Sequence, residues 1–502
     1  MFSSGSLSPT RPPRQRVLGP ISLNSTRLFI FVFESTVLSM RAKLDLHDFN
    51  KLFQMNQKLT VQIPFQLNDV IDDKQMAMFK QYENECGLCP IVLFFGQMPI
   101  IGHLSQKSYV KPYIGDTKPL GPYLILLGNS GANKSGHYNK LIMALKKTED
   151  AFPAKYKHDN SRSVIENVTT VAIIKSVGTG DKIVASDEID TTLSKLGIFD
   201  GETQNPAKNT EGATTLINGF DGWSDSTRAT GCEQDHIRSA KLSLLGCTVG
   251  TKFGKVLQKW YSGSGFESTA VFPAPSFSIC VSFRLGVYNR FVYFSYSAIP
   301  PIRPQDLKKH LVQKNIASLT HLFYVINCFG DIEYQFEQNE YDNNQNRANI
   351  YATDDEDTIS AFNYAGNKTV DHISCADEKQ PQHIQDFYAK APSIYPRICA
   401  ILQLFYNSFE VLKDVKDDIN FDDGFSKSKR IAADFIMKVQ NSIEKLFTSK
   451  AARNDEQMPI LLITKQTCIK AWKIYEHFFE QSVQLFSFDT TNVDNIMKQN
   501  VN

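Results

Sequence analysis

Tyr123-Leu-Ile-Leu-Leu-Gly-Asn-Ser-Gly-Ala-Asn-Lys-Ser135 decides how this chain is read. Five apolar residues in a row fit a buried strand, and a Gly-rich turn directly after them fits a phosphate cradle that opens a helix. The P-loop pattern is Gly, four residues, then Gly-Lys-Ser/Thr. This chain supplies Gly128, Ser130 and Gly131 in the turn, followed by Asn133, Lys134 and Ser135. The departure is Asn133 in place of Gly, and Asn is the side chain that best tolerates the positive φ such a loop requires. Backbone N–H groups and the helix N-terminus would hold the phosphates of ATP. Lys134 would reach the β- and γ-phosphates, and the Ser135 hydroxyl would bind Mg²⁺.

A phosphate loop alone over-predicts, so a second, acidic element is needed. P-loop enzymes hold the Mg²⁺ shell with an acid at a strand end, often beside a Glu that activates water. Ile183-Val-Ala-Ser-Asp187-Glu188 offers both, 53 residues past Lys134, room for a helix and an intervening strand. Asp187 is the expected metal ligand and Glu188 the expected base. Thr248 follows the Leu242–Leu245 run and stands where a polar group could read the γ-phosphate. Arg228, Arg238 and Arg284 are candidates for a charge-stabilising arginine. Cys86-Gly-Leu-Cys89 has the spacing of half a zinc site, but no second pair lies near, so buried or helix-start thiols are expected. Trp472, Tyr475, Phe478 and Phe479 recur at helical spacing and read as core. No Ser/His/Asp or Cys/His nucleophile set stands out.

Composition sets the frame. The 502 residues are 42% hydrophobic and 21% charged, with a net charge of +1. That is an ordinary globular balance with length for roughly three domains. A neutral total does not advertise nucleic-acid binding, although a local basic channel can hide within it. Nine cysteines, odd in number and scattered, fit reduced thiols in a cytoplasmic or nuclear compartment, not a secreted disulfide framework. No apolar run reaches the length of a membrane span.

Along the chain, residues 1–50 read as a disordered or mispredicted Pro/Arg/Ser-rich leader and 51–115 as a helical N-terminal region. Residues 116–300 read as the P-loop core and 301–390 as a connecting region with an acidic, Asn-rich insertion. Residues 391–502 read as a helical C-terminal region. Helices are expected at Asp72–Phe79, His137–Lys147, Val171–Val177, Tyr395–Leu412, Ile431–Phe447 and Thr464–Phe486. Strands are expected near 181–188, 240–246 and 277–296, and a long polar, Gly-rich loop or loop pair from Gly197 to Gly231.

These pieces, in this order, resemble the phage, plasmid and mobile-element P-loop proteins grouped as domain-of-unknown-function family 3987, which are similar to primase-associated, helicase-like ATPases. The matching pieces are Leu126–Ser135, Ser186-Asp-Glu188 and Ser239–Gly246, then Pro396-Arg-Ile-Cys-Ala-Ile-Leu402 and Ala471-Trp-Lys-Ile-Tyr475. The resemblance implies an α/β fold with a RecA-like core and helical flanks, a homo-oligomeric ring with an arginine supplied in trans, and partners among single-stranded DNA and replication proteins. Asn133 departs from that pattern. So does Glu267-Ser-Thr-Ala270 after Gly265-Phe266, where the family tends to carry an Arg. The sequence therefore supports an ATPase coupled to nucleic-acid work. A non-hydrolysing scaffold, a decayed or domesticated mobile-element product, is the alternative.

Overall fold

The computed structural model describes residues 44–156, 162–166, 168–199, 206–230, 233–261, 286–298, 302–313, 315–338, 359–378, 380–419, 421, 433–453 and 457–488. Its centre is a five-stranded, all-parallel sheet. The strands lie in the order Val164–Ile165, Lys182–Ser186, Leu242–Thr248, Tyr123–Gly128, Phe291–Tyr296. Every residue of the last three is buried, which explains their continuous apolar runs: helices cover both faces of a parallel sheet. The molecule is α/β.

A second five-stranded sheet was not foreseen. It gathers Tyr109–Lys111, Lys118–Pro119, Glu333–Phe336, Ala452–Arg453 and Pro459–Ile463 from three distant stretches of chain. Its strands are two to five residues long, too short for a period-2 signal to rise above noise.

Several helices begin where their caps place them. Asp72 caps Asp73–Cys86 with a reciprocal bond to Gln75, and Thr169 caps Thr170–Val177. The long C-terminal helices are Ala391–Asp414, Ala433–Lys450 and Lys465–Leu485. Leu46–Thr60 is a further helix, closed by an Asp45–Asp48 capping box, and it begins within the segment expected to be leader. The apolar run Ile91–Phe95 lies in the buried helix Pro90–Leu104.

One expectation is corrected. The stretch from Gly197 to Gly231 is not a long loop: it contains the helix Pro206–Asp221 and the first strand of a ribbon, Trp223–Thr230 paired with Glu233–Ala240. Ala213, Leu216 and Phe220 form a buried stripe at helical spacing. Two of the stretch's glycines, Gly212 and Gly219, sit inside the helix and serve packing. A Cβ at Gly219 would lie 2.7 Å from Leu242 Cβ and 2.9 Å from Tyr123 Oη.

At the N-terminal end of the central strands, polar groups are buried and braced. Arg397 is 1% exposed, donates to the carbonyls of Phe220 at 2.7 Å and Gly121 at 3.3 Å, and places its guanidinium carbon 3.7 Å from the Phe220 ring centroid. Lys241 Nζ donates to Ser105 Oγ at 2.9 Å, and its main-chain N–H to Asp181 Oδ1 at 2.9 Å. Burial pushes the Lys241 ammonium down to about 8 and the Arg397 guanidinium down to about 9.

Among the described residues no single helix is long and apolar enough to cross a membrane. The pair Asp73–Cys86 and Pro90–Leu104 reaches that composition only together, and is bent by 116°.

Candidate functional site

The register of the central sheet brings the sequence-predicted residues to one edge. Leu127 pairs with Thr248, Gly128 with Tyr296 and Ser186 with Gly246. The loop after Gly128, the acids after Ser186 and Thr248 therefore all emerge at the C-terminal edge. From the loop strand the chain runs toward Val164–Ile165 at one edge of the sheet, whereas from the neighbouring Leu242–Thr248 strand it runs the other way, to Phe291–Tyr296, so connections leave these two strands in opposite directions. Open α/β sheets bind ligands at such a switch point.

The loop closes on an 18-residue helix, Lys134–Ala151, with Asn133 at its N-cap. Asn133 adopts φ 53°, ψ 33°, and Gly131 adopts φ 85°. The left-handed turn expected of this position is present with an Asn in it. The neighbouring Gly136 makes room for that side chain: a Cβ there would lie 2.2 Å from Asn133 Oδ1. The sequence reading did not use Gly136, although its place three residues after the cap was the available signal.

Lys134 Nζ donates to the carbonyls of Gly128 at 2.7 Å and Asn129 at 2.9 Å. Partial burial lowers its pKa from the ordinary lysine value. Ser135 is exposed on the first helical turn, and Ser130 is exposed in the loop, while Gly128 is buried. Behind the loop, His137 is fully buried and bridges two elements. Its Nε2 accepts from the Cys89 N–H at 2.8 Å, which leaves the proton on Nδ1, facing the Asn133 carbonyl at 2.7 Å. Burial lowers the His137 pKa, so the ring is neutral.

On the acidic side, Asp187 and Glu188 are both exposed, and the Glu188 N–H donates to Ser186 Oγ at 3.2 Å. They line one end of a groove of about 770 Å³ that runs along the flank of the Lys134–Ala151 helix past Tyr138 and Lys146. Such a volume suits a small-molecule ligand.

Thr248 reaches the edge but turns its hydroxyl to a partner the sequence reading passed over. It donates to Asp190 Oδ1 at 2.7 Å and accepts the Gly250 N–H at 2.8 Å. Burial raises the Asp190 pKa, with the Thr248 bond opposing. Asp190 follows Asp187 by three residues, on the first turn of the Ile189–Lys195 helix. That three-residue spacing was its only sequence signal.

Two of the three arginine candidates fall on the ribbon. Arg238 is exposed on the ribbon, Arg228 lies on the ribbon's other strand, and Arg284 is outside the described residues, as is Gly265–Ala270. Burial raises the Cys86 and Cys89 thiol pKa values, and no metal-binding group of three His, Cys, Asp or Glu occurs among the described residues. Tyr475 and Phe478 are buried, and Trp472 packs edge-on to Tyr395 at 5.0 Å, so the aromatic stripe is core.

Compared with known proteins, the chain matches no family model, no curated protein and no solved structure.

Proposed function

We propose that the chain binds ATP with Mg²⁺ at the C-terminal edge of its parallel sheet and hydrolyses it in the service of nucleic-acid work. The observation that carries this reading is the convergence, from segments more than fifty residues apart, of a left-handed Asn133 turn opening a long helix and of Asp187-Glu188 one strand beyond the neighbouring strand. The helix N-terminus and loop N–H groups hold the phosphates. Lys134 exchanges its two carbonyls for phosphate oxygens, and Ser135 and Asp187 hold the Mg²⁺ that neutralises developing charge. Glu188, exposed at one end of the groove, orients the attacking water. Asp190 holds the Thr248 hydroxyl beside them.

The strand arrangement suits a RecA-like core. The resemblance to the 3987 family, with its phage and mobile-element helicase- and primase-associated members, supplies the partner class: single-stranded DNA, replication proteins and further copies of the chain in a ring. The Trp223–Ala240 ribbon leaves the sheet just before the Thr248 strand and exposes Thr227, His236 and Arg238, which suits contact with such a partner.

The test is ATP turnover by the purified protein with and without single-stranded DNA. DNA-stimulated turnover that falls at least a hundredfold in Glu188→Gln, with ATP affinity kept, is expected. Turnover equal in the variant removes Glu188 from the mechanism. Binding without turnover in either condition transfers the reading to a scaffold.

A further inference from the structure

Tyr296 ends the last strand of the central sheet and faces Gly128 in register. A Cβ built on Gly128 would lie 3.3 Å from Tyr296 Cζ, 2.8 Å from Ala132 Cβ and 3.4 Å from Lys134 Cγ. The hydroxyl-bearing end of the ring and the stem of Lys134 thus both lie beside Gly128, where the phosphate loop begins. The ring is 6% exposed, stacks with Phe294 at 5.9 Å and meets His137 edge-on at 6.0 Å. Phe would satisfy all of that packing. Yet Oη is buried and meets no hydrogen-bond partner among the described residues, which is destabilising for any hydroxyl.

Lys134 supplies the other half of the argument. Its ammonium serves the carbonyls of Gly128 and Asn129. A triphosphate that draws the ammonium outward leaves those carbonyls without that donor. Two incomplete sets of groups then stand within one loop, and each completes the other. We propose that Tyr296 is a ligand-responsive positioning residue, whose O–H donates to a loop carbonyl that Lys134 releases when its ammonium moves onto bound phosphate. The loop is then held in shape by Tyr296 while Lys134 is occupied. This rests on the nucleotide reading above, and deepens it by naming what replaces Lys134 on the main chain.

The experiment compares melting temperatures of wild type and Tyr296→Phe with and without Mg-ATP, alongside an ATP titration of each. Without nucleotide the Phe variant melts higher, because the unpartnered hydroxyl is gone. With Mg-ATP it gains less than wild type, and binds ATP roughly tenfold more weakly, the effect of one hydrogen bond. A residue that only packs moves both states together. The Lys134→Ala background gives a second reading that needs no nucleotide. There the carbonyls are already released, so adding Tyr296→Phe lowers the melting temperature instead of raising it. Equal ATP affinity and equal nucleotide-induced shifts in wild type and the Phe variant overturn the role of Tyr296 alone. A wild type that binds no ATP overturns the nucleotide reading, and this proposal with it.

Discussion

Lys134 and Arg397 each place a cation on main-chain carbonyls, at opposite ends of the Tyr123–Gly128 strand. Arg397 holds Phe220 and Gly121 from the Ala391–Asp414 helix, sealed from solvent and stacked on an aromatic ring. Lys134 holds Gly128 and Asn129 from the first turn of the adjoining helix, at an edge where Ser130, Ser135, Asp187 and Glu188 are all exposed. The bonds are alike and the surroundings are not. Moving Arg397 would strand a charge in a low-dielectric interior beside unpaired carbonyls. Moving Lys134 frees one part-buried and one exposed carbonyl and lets its charge meet another partner at an open edge. The same donor–acceptor pair is a brace in one place and an exchangeable contact in the other.

The largest effect that sharpens this contrast is on stability. Arg397→Ala removes two hydrogen bonds and the stacked guanidinium, and leaves Asp221 with Arg290, which it meets at 2.8 Å. A loss of about 3–5 kcal/mol in urea denaturation is expected. Lys134→Ala, in the same assay, is expected to cost less than ~1 kcal/mol. Equal losses would break the contrast.

A smaller effect probes the loop itself. Gly136→Ala forces a methyl against the Asn133 side chain, and a loss of about 1–3 kcal/mol is expected from such overpacking. Adding Asn133→Gly removes the clashing group and restores most of that loss. A double-mutant cycle measures the recovery, and simple additivity would contradict the pairing of Asn133 with Gly136.

The two ends also differ in how legible they were. The central strands stood out because burial on both faces leaves long apolar runs, and the loop from Gly128 to Ser135 stood out because Gly, Asn, Lys and Ser fall together in a few residues. What escaped depends on contacts between distant segments. The Pro206–Asp221 helix was hidden by Gly212 and Gly219, glycines selected by close packing. The second sheet was hidden by the shortness of its strands. Thr248 reaches the expected edge, but its partner Asp190 is a carboxylate that counts only once the Ile189–Lys195 helix lies beside the strand end. Tyr296 was lost among other strand aromatics, because only register sets it opposite Gly128. Arg397 was noted as part of a motif, but its partners at 121 and 220 could not be read from its own helix.

The central claim is that this sheet edge binds a nucleoside triphosphate through Lys134. Titration calorimetry of Mg-ATP into wild type and Lys134→Ala tests it most directly. The account predicts saturable binding of one ATP per chain in wild type and at least a hundredfold weaker binding in the variant, with both proteins equally folded. Absence of binding in wild type, or equal affinity in the variant, would contradict it.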